Sequence, residues 1–282
     1  MTTPSLGRVL FGALAVFACT APTVAAWAGI DDIRKSDNSV GVSLGGTYLD
    51  YRELDSGTGL TLDSERGWLA NLGGEANLLA APNAVGLLRN LYLHVDGGAA
   101  FGQTTYNGAY WNGTPASGTT DDTVWNGAVR VGRGFELGSS AMVIPFTELG
   151  YRWWDRNGQG AGGYDETYHS WDVMAGLLAQ YSPAAKWVLS ANAALGNTFG
   201  AGIVVGSPFS TSTSLGDALT WRAGGRVGYT FSRRMEMFTE ADVTRLGYGA
   251  SPWINSGQGV VMEPTSQTYE TAIKVGVAYH FF

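Results

Sequence analysis

Cysteine and lysine are scarce in this chain of 282 residues, and each shortage excludes a class of protein. The single cysteine, Cys19, lies in an apolar N-terminal segment, so a mature chain without that segment has neither a disulfide framework nor thiolate chemistry. Only three lysines occur and the formal net charge is -7, which argues against nucleic acid as a partner. After the N-terminus, no run reaches the roughly 18 apolar residues that a transmembrane helix needs.

The N-terminus has the pattern of a secretory signal peptide. Arg8 supplies the positive charge, residues 9–20 form the apolar region, and small residues lead up to Ala26 and Ala28. We predict a signal peptide over 1–26, with cleavage after 28 as the alternative. Residues 27–38 are polar and are predicted to be an N-terminal tail in the periplasm, and 39–282 form the folded domain.

Glycine and aromatic residues are abundant, with 41 glycines and 12% aromatics. From residue 39 onward, apolar and polar residues alternate, which predicts strands whose two faces differ. A soluble β-sandwich has the same alternation, so a second signal is needed to decide between a sandwich and a barrel.

That signal is the repeated interval of ten residues between bulky residues on one strand face. The pairs are Trp68 and Leu78, Trp125 and Phe135, Trp171 and Tyr181, Trp221 and Phe231, and Tyr269 and Tyr279. Ten residues at about 3.3 Å each, tilted by about 40°, span the roughly 25 Å apolar band of a membrane barrel. Aromatic rings prefer both edges of such a band. The predicted aromatic girdle comprises Trp68, Trp125, Trp153, Trp171, Trp221, Tyr269, Phe135, Tyr181, Trp187, Phe231, Tyr279 and Phe281.

The fold class that follows is all-β: a closed, antiparallel, up-and-down transmembrane β-barrel of about ten strands, with eight or twelve as alternatives. The predicted strands are 39–52, 67–79, 91–105, 124–135, 142–155, 168–181, 187–198, 218–231, 235–247 and 267–281. Short turns are predicted at one end and long loops at the other, as in outer-membrane barrels.

The last strand resembles the C-terminal strand of the Gram-negative outer-membrane β-barrel proteins. Tyr269, Ile273, Tyr279 and Phe281 share one face, and Phe282 adds one residue beyond that phase. In size and strand number the chain is similar to small barrels of the omptin class, but it lacks the omptin active-site motifs, so that activity is not implied. The resemblance implies the cell outer membrane as the location. It also implies membrane lipid and lipopolysaccharide as partners, and the barrel-assembly machinery as the partner of the C-terminal strand.

Most charged residues fall on the inward phase of the predicted strands, with signs that alternate between strands. The predicted lumen charge network comprises Glu75, Arg130, Glu148, Arg152, Asp172, Arg222, Arg226, Glu240, Asp242, Glu270 and Lys274. Charges inside a narrow barrel lose water and need partners. The network therefore predicts either a salt-bridged, filled lumen or the lining of a selective pore. Inward glycines would make room for the Arg side chains or leave a thread of water.

Other candidate sites are weaker. His169 lies beside Ser170 and near Asp172, but adjacent strand residues point to opposite faces, which does not suit a nucleophile and its base. His94 and Asp96 share the inward phase and are predicted to form a structural hydrogen bond. No metal-binding loop, phosphate-binding loop or cofactor motif is present, and we predict no cofactor. The aromatic residues of the loops predict contact with an extracellular ligand or with lipopolysaccharide; they are Tyr106, Tyr110, Trp111, Tyr164, Phe209 and Trp253.

Three functional hypotheses follow from these patterns. The first is an integral outer-membrane barrel with a plugged, charge-networked lumen and a structural or adhesin-like surface role, and without enzymatic activity. The alternative is a small pore for ions or small solutes. The second alternative is a surface hydrolase.

Overall fold

A computed structural model describes residues 29–55, 57–109, 113–159, 163–256 and 259–281. The predicted signal peptide, Tyr110, Trp111 and Phe282 lie outside the described residues. Ten long strands form the main sheet: β1 (Ser39–Leu54), β2 (Thr61–Leu79), β3 (Leu91–Ala109), β4 (Pro115–Arg133), β5 (Ala141–Gln159), β6 (Asp165–Tyr181), β7 (Trp187–Val205), β8 (Ala218–Thr230), β9 (Met235–Tyr248) and β10 (Thr265–His280). The shorter elements are a helix, α1 (Ile30–Ser36), a 3-10 turn at Gly86–Leu88, and short strands at Phe135–Glu136, Thr211–Ser214, Ile254–Ser256 and Gly259–Val261.

The sheet closes into a barrel. Each long strand pairs antiparallel with the next one along the chain, and β10 returns to pair with β1, from Ser39 opposite His280 to Leu54 opposite Thr265. The predicted closed barrel of ten strands is confirmed, and closure leaves the main sheet without an open edge. The described part of the chain has no helix long and apolar enough to cross a membrane.

Several strands extend further at one end than the sequence predicts. For example, β4 begins at Pro115 rather than at 124, and β7 continues to Val205 rather than to 198. The extra residues of β4 are mostly Gly, Ser, Thr and Asp, and they pair in register with the end of β3. The parts of the strands that extend beyond the apolar band have few apolar residues on their outer face, so they lack the alternation that predicts a strand. For this reason the sequence pattern predicted loops where the hairpins continue.

The end with these extensions also carries the two longest connections, 206–217 and 249–264, and is called the loop end here. Strands of 19 residues at about 3.3 Å per residue are about 63 Å long, so even when tilted they exceed the roughly 25 Å apolar band. Outer-membrane barrels place their longer connections outside the cell. In a barrel of that class the loop end stands outside the cell, and the opposite end, called the turn end, faces the periplasm.

The outer surface of the barrel is apolar between two rings of aromatic residues. Trp68 and Trp125 belong to the ring nearer the loop end, whereas Phe135, Tyr181 and Phe231 belong to the ring at the turn end. Between the rings, Leu44, Leu72 and Val275 are exposed on the outer face, among others. A large apolar surface of this kind needs a lipid annulus to cover it, because no second sheet within the described part of the chain packs against it. All twelve predicted girdle residues lie on this outward face, each exposed or partly exposed.

The segment predicted as a polar periplasmic tail contains structure that the sequence analysis did not anticipate. Residues 30–36 form α1, and its Ile33 is fully buried against the inward side chains of the turn end. Backbone contacts fix the helix, since the Ile30 amide donates to the Ser139 carbonyl at 2.7 Å. The N-terminal segment thus packs into the mouth of the barrel instead of leaving it.

Candidate functional site

The middle of the lumen is crossed by ion pairs between strands that are not neighbours. Arg152 on β5 pairs with Glu270 on β10, which lies five strands away in a ring of ten. Arg226 on β8 pairs with Glu75 on β2, four strands away, and also, at 3.0 Å, with Glu236 on the neighbouring strand β9. The Arg152–Glu270 and Arg226–Glu75 pairs therefore connect distant walls of the lumen.

Further ion pairs complete this charged layer. Glu148 is bound by Arg130 and, at 2.9 Å, by Arg222. Lys274 pairs with Glu240 at 2.6 Å and lies 3.9 Å from Asp242. Ten of the eleven predicted network residues therefore have an ion-pair partner.

Asp172 differs from the other ten predicted network residues. No cation of the described residues lies within ion-pair distance of it, and its Oδ2 atom is buried without a hydrogen-bond partner there. It faces a lumen cavity of about 200 Å³ that most of the network residues also line. Asp37, Arg152 and Arg226 face the same cavity and also have an unpartnered buried polar atom among the described residues. A polar cavity of this size holds several water molecules.

Gly150 and Gly224 make room for acidic side chains, whereas Arg side chains were predicted to fill this space. A Cβ atom on Gly224 would lie 1.8 Å from the Asp242 Oδ1 atom, and one on Gly150 would lie 2.5 Å from the Asp172 Oδ1 atom. A side chain at either position would displace the carboxylate from its place in the lumen.

Above the charged layer, toward the loop end, an aromatic layer closes the lumen. Tyr51 on β1 and Tyr168 on β6 come from opposite walls, and their hydroxyl oxygens lie 3.4 Å apart. Trp154 lies between them, with ring centroids 5.1 Å from Tyr51 and 5.4 Å from Tyr168, and Tyr248 stacks on Tyr168 at 5.7 Å. All four side chains are essentially inaccessible to solvent. We call these four residues the aromatic layer.

Below the charged layer, toward the turn end, a second apolar layer contains the helix. Ile33 of α1 belongs to one buried cluster with Leu79, Tyr92, Met142 and Ile144. Gln180 donates a hydrogen bond to Asp37 at 2.8 Å, and Asn38 exchanges hydrogen bonds with the backbone of Leu79. We call this cluster, with α1, the helix layer. The charged cavity is therefore bounded by an apolar layer on each side.

A cleft lies above the aromatic layer, at the loop end. At its base, Arg156 contacts Glu65 at 2.9 Å, pairs with Glu166, and stacks over the Tyr51 ring at 4.5 Å. Both carboxylates are buried, so this guanidinium is held firmly by charge and by the aromatic layer beneath it.

The cleft has a volume of about 400 Å³ and walls of two kinds. Glu53, Asp63, Glu166 and Glu263 supply carboxylates. The other wall is apolar and aromatic; it includes Leu62, Tyr106, Tyr164, Ile203, Val205, Phe209 and Met262. Burial, together with the charge of Glu166, raises the pKa of the Glu263 carboxyl to about 8, although the Tyr168 hydroxyl donates a hydrogen bond to it at 2.7 Å.

The structure separates His169 from Ser170 and gives His94 two side-chain partners. His169 lies on the outward face of β6 and Ser170 on the inward face, so the two side chains are separated by the sheet. In His94, Nδ1 contacts Asn77 Oδ1 at 2.6 Å and Nε2 contacts Asp96 Oδ1 at 2.9 Å, so both ring nitrogens are occupied by structural partners. The described residues contain no cluster of His, Cys, Asp or Glu that could hold a metal ion.

The loop-end cleft is the feature that sequence reasoning missed. Its signal was present, because Glu53 and Asp63 continue the inward phase of β1 and β2 beyond the apolar band. Of the aromatic residues predicted to meet an extracellular ligand, Tyr106, Tyr164 and Phe209 line the cleft, whereas Trp253 lies exposed elsewhere in the loops.

Comparison with known proteins shows similarity in structure alone. No family model matches the chain, and no curated protein matches it. The outer membrane protease OmpT from Escherichia coli is similar with a TM-score of 0.54 and 10% identity, over 87% of this chain and 98% of that one. The transport unit of the autotransporter AIDA-I from Escherichia coli gives a TM-score of 0.44 and 12% identity, over 86% and 90%. The translocator domain of the autotransporter NalP from Neisseria meningitidis gives 0.38 and 15%, over 86% and 89%.

The names of these neighbours describe different roles, and the likeness to OmpT, at 10% identity, concerns the fold alone. The closed ring of ten strands, the apolar outer band and its two aromatic borders are the features that transmembrane barrels require. The chain therefore has the fold of the Gram-negative outer-membrane β-barrels and is located in the outer membrane.

Proposed function

We propose that this protein is a closed outer-membrane barrel that acts at the cell surface through its loop end and does not conduct solutes. The observation that carries the proposal is the contact between Tyr51 and Tyr168 across the full width of the lumen. Side chains from opposite walls meet there, and Trp154 fills the remaining gap.

The lumen is closed both at the aromatic layer and at the helix layer, which supports the proposal that the barrel does not conduct. An ion that moved through the lumen would have to leave water twice, once at the aromatic layer and once at the helix layer. Removing an ion from water without a compensating partner is very costly. Barrels near eight strands are filled by their side chains, and this barrel of ten strands is close to that size.

A conductance measurement tests this proposal. Refolded mature protein is inserted into planar bilayers, and insertion is checked by protease protection of the barrel in the same lipid. We expect no discrete current steps at ±100 mV. Regular unitary steps that scale with the amount of inserted protein would show that the lumen is open.

The pore remains the second candidate because of one feature, the charged cavity of about 200 Å³ between the two layers. If unitary currents are observed, their ion selectivity will change in Lys274→Glu, since Lys274 lines that cavity. Unchanged selectivity in that variant would place the conducting path elsewhere.

We assign no catalytic role to this chain. The protease activity named for the Escherichia coli neighbour is not transferred at 10% identity. The one hydrolase candidate from the sequence, His169, lies on the outer face away from Ser170.

A further inference from the structure

Four acidic side chains line the loop-end cleft, and among the described residues the one cation within ion-pair distance of any of them is Arg156. Arg156 is occupied by Glu65 and Glu166, and its Nη1 atom is 4.0 Å from Glu53. Asp63 and Glu263 have no cation within ion-pair distance among the described residues. The Oδ1 atom of Asp63 is also buried there without a hydrogen-bond partner.

The apolar wall of the cleft indicates what kind of cation would fit. Tyr164 and Phe209 pack edge to face with ring centroids 5.1 Å apart, and Ile203 and Val205 continue the same wall. Aromatic faces attract cations, and aliphatic surface favours hydrocarbon. A ligand that satisfies both walls must carry a positive charge and an apolar part.

The arrangement does not suit a metal ion. No group of acidic or histidine side chains in the described residues converges closely enough to hold one. Calcium also needs six to eight oxygen ligands, and an apolar wall offers none. The volume of about 400 Å³ instead falls in the range of pockets for small organic ligands.

We propose that this cleft binds an organic cation, a guanidinium or ammonium group carried on a short hydrocarbon chain. The charged group lies among Glu53, Asp63 and Glu263, and the hydrocarbon lies against Ile203 and Val205. This proposal deepens the proposed function, since it names the chemistry that the loop end recognises above a closed lumen. The cation comes either from a free amine or guanidine or from a Lys or Arg side chain of a peptide.

Titration calorimetry on the full mature protein in detergent micelles tests the charge requirement. The probe is n-butylguanidinium, and its neutral control is n-butylurea, which has nearly the same shape. We expect saturable binding of the cation and at least tenfold weaker binding of the urea. Equal binding of the two compounds would overturn the proposal, as would binding of neither together with no binding of the arginine peptide described below.

Isosteric variants test whether the cation binds in the loop-end cleft. Glu53→Gln combined with Glu263→Gln should weaken n-butylguanidinium binding at least tenfold. The matched control is Asp155→Asn, which removes one charge from the outward face of β5 near the same height and should change binding less than twofold. Folding of each variant is verified by the shift in gel mobility between unheated and heated samples. Unchanged affinity in the folded double variant would show that the cation binds elsewhere.

The dependence of binding on pH gives a second readout. Glu263 faces Glu53 from β1, Asp63 from β2, Tyr106 from β3, Arg156 from β5, and Glu166 and Tyr168 from β6. With its pKa at about 8, Glu263 is mostly protonated at pH 7 and must lose its proton to meet a cation. Affinity should therefore rise between pH 6.5 and 9, with proton release on binding, and Glu263→Gln should reduce the proton release, since Glu53 and Asp63 remain as carboxyl groups that meet the cation. A flat affinity profile in the unmodified protein would contradict the assignment of Glu263.

A blocked Gly-Arg-Gly peptide distinguishes the two sources. Binding of the peptide, of the free cation, or of both supports the proposal and identifies the source, whereas binding of neither refutes it. The conductance experiment is independent, because unitary currents would refute the closed lumen without changing the result for the cleft.

Discussion

Arg156 is the residue whose loss should affect the loop end most. It is buried and contacts Glu65 and Glu166, which are buried as well. In Arg156→Gln these carboxylates lose their counter-charge, and breaking a buried ion pair on one side costs about 3–5 kcal/mol. We expect a loss of that size in the free energy of unfolding, measured by urea titration of the barrel in lipid vesicles.

The matched control is Arg66→Gln on the outer face of β2. Arg66 also contacts a carboxylate, Asp50, at 3.1 Å, but about half of its side chain is exposed. Exposed pairs contribute about 0–1 kcal/mol, so the control should remain close to the unmodified protein. A similar loss in both variants would mean that burial of Arg156 does not determine its contribution.

The short helix α1 is the element with a built-in dependence on pH. Asp37 follows the helix and is buried, and burial raises the pKa of its carboxyl to about 7, although Gln180 and Arg226 act to lower it. Glu236 and His94 are the other charged or titratable groups near it. Because the folded state holds the proton more tightly than the unfolded state, the Asp37 contribution weakens as pH rises from about 4 to about 7.

Hydrogen exchange of the α1 amides measures this effect. We expect faster exchange, after correction for intrinsic rates, at pH 7.5 than at pH 5.5, because the ionised Asp37 favours release of the helix from the barrel mouth. Asp37→Asn should remove most of that difference, since an amide keeps a similar shape without titrating. Protection that is independent of pH in the unmodified protein would exclude Asp37 as its cause.

The position of the same helix could not be predicted from the sequence. The ten strands were predictable because lipid imposes a fixed distance between Trp125 and Phe135 and between their counterparts on other strands. No comparable spacing constraint applies to residues 30–36. Their position depends on the shape of the barrel opening at the turn end, which is formed by strands that are distant in sequence. The inward charges were likewise predictable by phase, but their pairing was not. Arg152 pairs with Glu270 across the lumen because the shear of the barrel sets the positions of β5 and β10 along the barrel axis. The alternation of inward and outward residues along a strand does not contain that information.

At the scale of the whole molecule, the aromatic layer and the helix layer are two barriers in series, and this arrangement predicts how conduction would respond to their removal. Deleting residues 29–37 removes α1 and opens the turn end alone. Replacing Tyr51 and Tyr168 by glycine opens the aromatic layer alone. Since either remaining layer still blocks the lumen, neither variant should conduct in planar bilayers.

The combined variant should show unitary currents that favour cations. Seven carboxylates (Asp37, Glu75, Asp96, Asp172, Glu240, Asp242 and Glu270) line the cavity against five cations (Arg130, Arg152, Arg222, Arg226 and Lys274), and removing Asp37 with the helix still leaves six against five. Acidic linings select cations. The reversal potential in a potassium chloride gradient reports this preference. Conduction in either single variant would show that one layer alone closes the lumen, and silence in a correctly folded combined variant would show that the charged layer is itself a barrier.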